Sequence, residues 1–323
     1  MVVVFIMVSA RDIFNKMKVS ELNNIIKIFE LKVTCRKKEN IIDIIYEYMK
    51  KNMIYIFQKH IISDELDLLR KVCDNNFKIS YEEAELDLDH IQSLHYIGLI
   101  YINKEKTVIV IPQEFQELIK LCLDDKYVTE FSRKKADIVS MVQNLLELYG
   151  IFHLELLEDY IINKIGEGYR IHGAIEFIRN YNMRNVFYYE DDEHFYYNLK
   201  IINKDSMKDR ILKIHIGYKY YNECDMKDII NRKSPYEKNV KMILNRVYKS
   251  LKKSEEIMSY LRLMIMQGMT SEEIVCNLKE TVKRLSDYGL RSIVKYVDSI
   301  RSSYIIWGMK GYYLDEIDRE IMA

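Results

Sequence analysis

The 323-residue sequence predicts a mainly α protein with small β-hairpins, and three observations carry that expectation. Only 2 Pro and 10 Gly punctuate the chain, too few for the turns of a sandwich or barrel or for a glycine-rich nucleotide loop. Apolar residues recur at three- and four-residue spacing through most of its length, which is the period of a helix with one buried face. The exceptions are two pairs of β-rich runs, each pair set around a short polar turn.

The opening Met1–Val8 run is apolar, but it has no basic n-region and is too short to span a bilayer, so it reads as a lead-in or a short strand. Short helices follow over Ser9–Phe14 and Val19–Phe29, the second with Leu22, Ile25, Ile26 and Phe29 on one face and Ser20 as its expected cap. Leu31–Arg36 forms an extended link. A third helix starts at the basic Lys37–Lys38 and carries Ile41, Ile42, Ile45 and Met49 inward. Between residues 10 and 60 there are eleven Lys or Arg against six Asp or Glu, an excess of the sign that phosphate contacts need.

Helix, extended link and basic-started helix resemble the SAP-like module at the N-terminus of Rho-type transcription terminators. The matching positions are Leu22, Ile25, Ile26, Leu31, Val33, Lys37, Lys38, Ile41, Ile42 and Ile45. The resemblance implies a small nucleic-acid-binding module over residues 1–52.

Residues 61–96 reverse the charge, with Asp64, Glu65, Asp67, Asp74, Glu82, Glu83, Glu85, Asp87 and Asp89 against Arg70, Lys71 and Lys78. A hairpin is expected from Tyr96–Ile102 and Thr107–Ile111 around Asn103–Lys106. Pro112 then opens a helix over Gln113–Leu123, a position that proline tolerates. Helices followed by a hairpin give a winged-helix-like segment, 53–126. The same order returns over 127–204, with helices at Lys134–Tyr149, Leu154–Asn163 and His172–Tyr181 and strands at Val186–Tyr189 and Phe195–Leu199. Its turn, Glu190–His194, is acidic and would be repelled by a phosphate backbone.

Residues 205–323 read as a helical segment, with helices at Val240–Leu251, Ser254–Gln267, Ser271–Leu285 and Leu290–Ser302. Thr270 and Glu273 have capping-box spacing, and Gly268 closes the helix before them. Lys238, Lys241, Lys249, Lys252 and Lys253 offer a second basic helical surface. The tail, Ser302–Ile317, is similar to the closing stretch of uncharacterised Firmicute proteins, some of which carry a SEC-C zinc knuckle. Trp307, Lys310, Gly311 and Glu316 match, and no cysteine-rich knuckle follows. Trp307 with Tyr304, Tyr312 and Tyr313 reads as an anchor for the terminal helix rather than a base-stacking platform.

No phosphate-cradling GxxxxGK[ST] loop, nucleophile elbow or CxxC pair occurs, so neither enzyme, cofactor nor metal is expected. His90 and His95 lie five residues apart, a spacing that turns their rings to different sides of a helix. Cys35, Cys73, Cys122, Cys224 and Cys276 are scattered and odd in number, which suits a reducing cytoplasm. Because the formal net charge is +0, nucleic acid must be met by a local patch. The sequence therefore predicts a bacterial, non-enzymatic nucleic-acid-associated regulator, binding DNA or RNA through Lys32, Arg36, Lys37 and Lys38, assisted by Lys104 and Lys106. The competing reading is a protein-interaction adaptor or homo-oligomer that uses the winged-helix and helical segments as scaffold and the acidic turn as its contact.

Overall fold

The computed structural model describes residues 8–33, 37–82, 88–103, 107–165, 171–282 and 285–321. The apolar lead-in through residue 7, Arg36, Lys104, Lys106 and the glycine-bearing 166–170 stretch lie outside them. The protein is mainly helical with two small antiparallel sheets, and its contacts group it into two compact units. One unit comprises residues 1–140 and 165–186, the other 141–164 and 187–323.

The first unit is organised on one long helix. Helices α1 (Ala10–Lys16) and α2 (Val19–Ile28) precede α3 (Lys38–His60), which packs on both of them and, further on, on α6 and α9. Every three or four residues α3 turns Ile41, Ile45, Met49, Met53, Ile56 and His60 inward. It continues past residue 52, where the sequence reading divides two segments, across a kink at the non-helical Asn52 (φ −122°, ψ 25°), whose side-chain amide donates to Tyr48 O at 2.9 Å. One continuous core from Val8 to Val128 therefore serves both segments.

The chain continues as α4 (Ser63–Asp74), β1 (Lys78–Ser80), α5 (Leu88–Tyr96), β2 (Tyr101–Asn103) and β3 (Val108–Val110). The expected hairpin is β2–β3, with Tyr101 opposite Val110. The third strand, β1, pairs on the other side of β3, giving the order β1-β3-β2. After Pro112 a 3-10 turn (Gln113–Phe115) leads into α6 (Gln116–Asp124), and α7 (Lys126–Tyr149) follows. Ser20 does not cap α2: the N-cap is Lys18, whose backbone N–H donates to Glu21 at 2.5 Å, because the helix starts two residues earlier than Ser20 implies.

In the second unit, β4 (Ile151–His153), β5 (Tyr188–Glu190) and β6 (Phe195–Asn198) form a sheet of order β4-β6-β5. Between β4 and β5 the chain makes α8 (Leu154–Ile165) and α9 (Ile171–Arg184), of which α9 belongs to the first unit. Helices α10 (Lys204–Lys213), α11 (Glu223–Asn231), α12 (Glu237–Tyr248), α13 (Leu251–Met266), α14 (Ser271–Thr281), α15 (Asp287–Arg301) and α16 (Leu314–Ile321) complete it. Gly268 closes α13 at φ +74°, with Met269 N–H returning to Met264 O, and Thr270 with Glu273 forms the capping box of α14.

The tail is built into this unit. Trp307 is 1% exposed and its Nε1 donates to Glu147 O at 3.0 Å. Gly150, at φ +70°, leaves room for it: a Cβ there would sit 2.2 Å from Trp307 Cγ. Lys310 Nζ donates to Ile214 O and Ile216 O, and Glu316 accepts from Tyr313 N–H and pairs with Lys219 at 2.7 Å. Trp307, Lys310 and Glu316 thus each have structural partners. No helix among the described residues is long and apolar enough to cross a membrane.

Candidate functional site

Three of the six predicted basic residues lie among the described ones. Lys32 follows α2 and Lys37 is the N-cap of α3, and both are exposed. Neither forms an ion pair or a side-chain hydrogen bond among the described residues. Lys38 begins α3 half-buried, its Nζ donating to Asn15 O at 2.7 Å. That bond ties α1 to the start of α3 and consumes one of the ammonium's three donors. No side chain caps the first turn of α3, so its leading N–H groups and the positive end of the helix dipole lie beside the N-cap Lys37. Glu39 in that turn offsets part of the charge.

Neighbouring cations are engaged otherwise. Arg11 pairs with Asp43 and lies over the Tyr46 ring, and Lys16 lies over the Tyr101 ring. The second basic surface is divided between two helices: Lys238 and Lys241 lie on α12, Lys249 ends it at φ 48°, and Lys252 and Lys253 begin α13. Lys241 pairs with Glu255 at 2.6 Å and Lys253 with Glu256 at 3.0 Å, so this surface is partly neutralised. The acidic turn is balanced too. Lys208 pairs with Asp191 at 2.7 Å and Glu193 at 3.0 Å, and Glu190 faces His194 at 3.2 Å. Burial raises the Asp191 carboxyl, but bonds from Lys208, Phe195 N–H and Tyr197 outweigh it and hold the group below the usual range.

His90 and His95 do not converge. His90 Nε2 lies 3.7 Å from Asp64, whereas His95 Nδ1 lies 3.2 Å from Ile100 O. Among the described residues no three His, Cys, Asp or Glu side chains gather as a metal site would require.

A buried polar cluster that sequence reasoning missed closes the C-terminal end of α3. Lys135, on the inward stripe of α7 that also carries Val128, Ser132 and Ile138, donates to Phe57 O at 3.0 Å and Gln58 O at 2.8 Å. Arg184 at the end of α9 donates to His60 O and to both oxygens of Glu65, at 3.0 and 3.2 Å. Cations on the last carbonyls of a helix complement its dipole. Glu65 also accepts from Ser93 Oγ at 2.5 Å and Ile62 N–H at 3.1 Å, so its charge is fully solvated by protein. His60, 2% exposed, has no partner for Nε2, and burial together with the Arg184, Lys59 and Lys135 charges holds it well below the usual histidine range. The one sequence signal for this cluster is a lysine at an apolar position of an amphipathic helix.

No family model matches the chain, and no solved structure matches it. Over 230 residues, 64% of its length, it is 28% identical to reticulocyte-binding protein homolog 1 of Plasmodium falciparum, of which the matched stretch is 8%. Likeness of that extent places the chain in no family.

Proposed function

We propose that the protein binds nucleic acid through the phosphate backbone, with Lys32 and Lys37 as its described contacts and Arg36, Lys104 and Lys106 as the further contacts expected from the sequence. The observation that supports this reading is the exposure of Lys32 and Lys37 without a carboxylate partner among the described residues, whereas lysines such as Lys59, Lys208 and Lys241 are paired. The uncapped first turn of α3 adds backbone donors for phosphate oxygens. Such contacts read charge and not sequence. SAP-like and winged-helix-like segments in the first unit would then place helices and a hairpin turn along the strand. The adaptor alternative has less support, because Lys208 already occupies Asp191 and Glu193 in the acidic turn.

The test is fluorescence anisotropy of labelled single- and double-stranded DNA and RNA against the protein and an Arg36/Lys37/Lys38→Ala variant. Binding lost in the variant supports the reading. Equal binding by both proteins, or no binding to any probe, rejects it.

A further inference from the structure

A pocket of about 460 Å3 opens in the first unit between α3, α7 and α9, lined in part by Tyr55, His60, Phe131, Lys135, Gly173 and Phe177. That volume lies within the range of about 300–1,000 Å3 typical of small-molecule sites. Two groups in its wall keep unmet needs beyond their part in closing α3. Lys135 is 2% exposed, and its ammonium meets two backbone carbonyls but no carboxylate close enough to pair among the described residues. His60, equally buried, leaves Nε2 unbonded. A buried cation without a counter-charge and a buried ring nitrogen without a partner both carry a desolvation cost that a ligand could relieve.

The remaining wall indicates the rest of the ligand. Phe131, Phe177 and Tyr55 supply aromatic surface, and Lys135 Nζ lies 5.8 Å from the Phe177 ring centre. Gly173, exposed in the first turn of α9, lines the pocket with open space where a Cβ would be, so a larger side chain there would enter the opening. Glu176 also lines the pocket and pairs with Lys59 at 3.2 Å, which disfavours a multiply charged anion. Arg184 is already committed to Glu65 and His60 O.

We propose that this pocket binds a small aromatic monocarboxylate, its carboxylate on Lys135 and His60 Nε2 and its ring among Phe131, Phe177 and Tyr55. The inference is independent of nucleic-acid binding. Burial and the Arg184 charge hold Lys135 well below the usual lysine range, with Glu65 acting in the opposite direction, so a bound anion would restore a favourable environment for the ammonium.

The experiment is calorimetric titration of the full chain at neutral pH with indole-3-acetate and benzoate, each beside its uncharged amide. At least one acid should bind roughly tenfold or more tightly than its amide, as a charge-assisted pair requires. Lys135→Met should erase that preference. Gly173→Leu, which fills the pocket from a position with free space, should abolish binding of acid and amide alike while the protein melts no lower than the parent. Absence of binding by both acids, an amide binding as tightly as its acid, or unchanged binding in Gly173→Leu overturns the proposal, and the glycine variant decides the matter should Lys135→Met fail to fold.

Discussion

His60 and Trp307 show how much one buried side chain commits in this protein. His60 is neutral when folded, whereas in the unfolded chain it titrates near 6.5. Below that pH the unfolded state binds the extra proton, so stability falls as pH falls, by at most about 1.4 kcal/mol per unit for this group. Urea unfolding at pH 7.5, 6.5 and 5.5 should therefore show a shallower acid loss in His60→Gln than in the parent; equal slopes would mean that His60 protonates freely in the fold. Trp307→Ala should cost about 3–5 kcal/mol, as deletion of a fully buried indole does. Gly150→Ala should also lower the melting temperature, because the new methyl would meet the indole and the left-handed backbone disfavours alanine. The abundant tyrosines are used similarly: Tyr149 donates to Lys219 O at 2.6 Å, Tyr160 to Tyr221 O at 2.8 Å and Tyr221 to Gly311 O at 2.7 Å. Their number in the sequence gives no hint of this, since each hydroxyl finds a carbonyl distant along the chain.

Among the elements, the long helices and the two hairpins were legible because their signals are local. Leu22, Ile25 and Phe29 repeat at helix spacing and are buried, Gly268 and Thr270–Glu273 mark an end and a start, and the β2–β3 pair follows from two β-rich runs around a short polar stretch. Strands β1 and β4 were not legible. Each is three residues long, too short for an alternation to register, and each is defined by a partner 28 or more residues away. The start of α7 was also missed, since Lys126–Arg133 carries few apolar residues and is held by Asp125 Oδ1 accepting from Tyr127 and Val128 N–H. The candidate phosphate contacts could be named from their local charge excess, whereas the cluster at the end of α3 could not, because residues 60, 65, 135 and 184 meet only in the fold. That cluster ties α9 to α3 and α4. Arg184→Met should cost about 3–5 kcal/mol by leaving Glu65 buried and unpaired, and adding Glu65→Met should recover much of it. Chemical denaturation of the single and double variants checks this, and additive losses would show that the pair is not coupled.

Taken as a whole, the molecule has equal numbers of acidic and basic side chains, 49 of each, so no overall field draws it to a polyanion. Attraction has to come from places where cations are left over. Part of the chain pairs them, as Lys59 does with Glu30 and Glu176, Lys219 with Glu316, and Arg262 with Glu237 and Glu255. Lys32 and Lys37 are exposed and have no such pair among the described residues, and the proposed function rests on them. Binding of this kind releases counterions, so its logarithm falls linearly with the logarithm of salt concentration, with a slope of about 0.9 per phosphate neutralised on duplex DNA. The most direct measurement is that slope, taken for the parent and for Lys37→Ala on one duplex. The account predicts salt-sensitive binding whose slope is smaller by about one in the variant; a salt-independent affinity, or the same slope in both proteins, would contradict it.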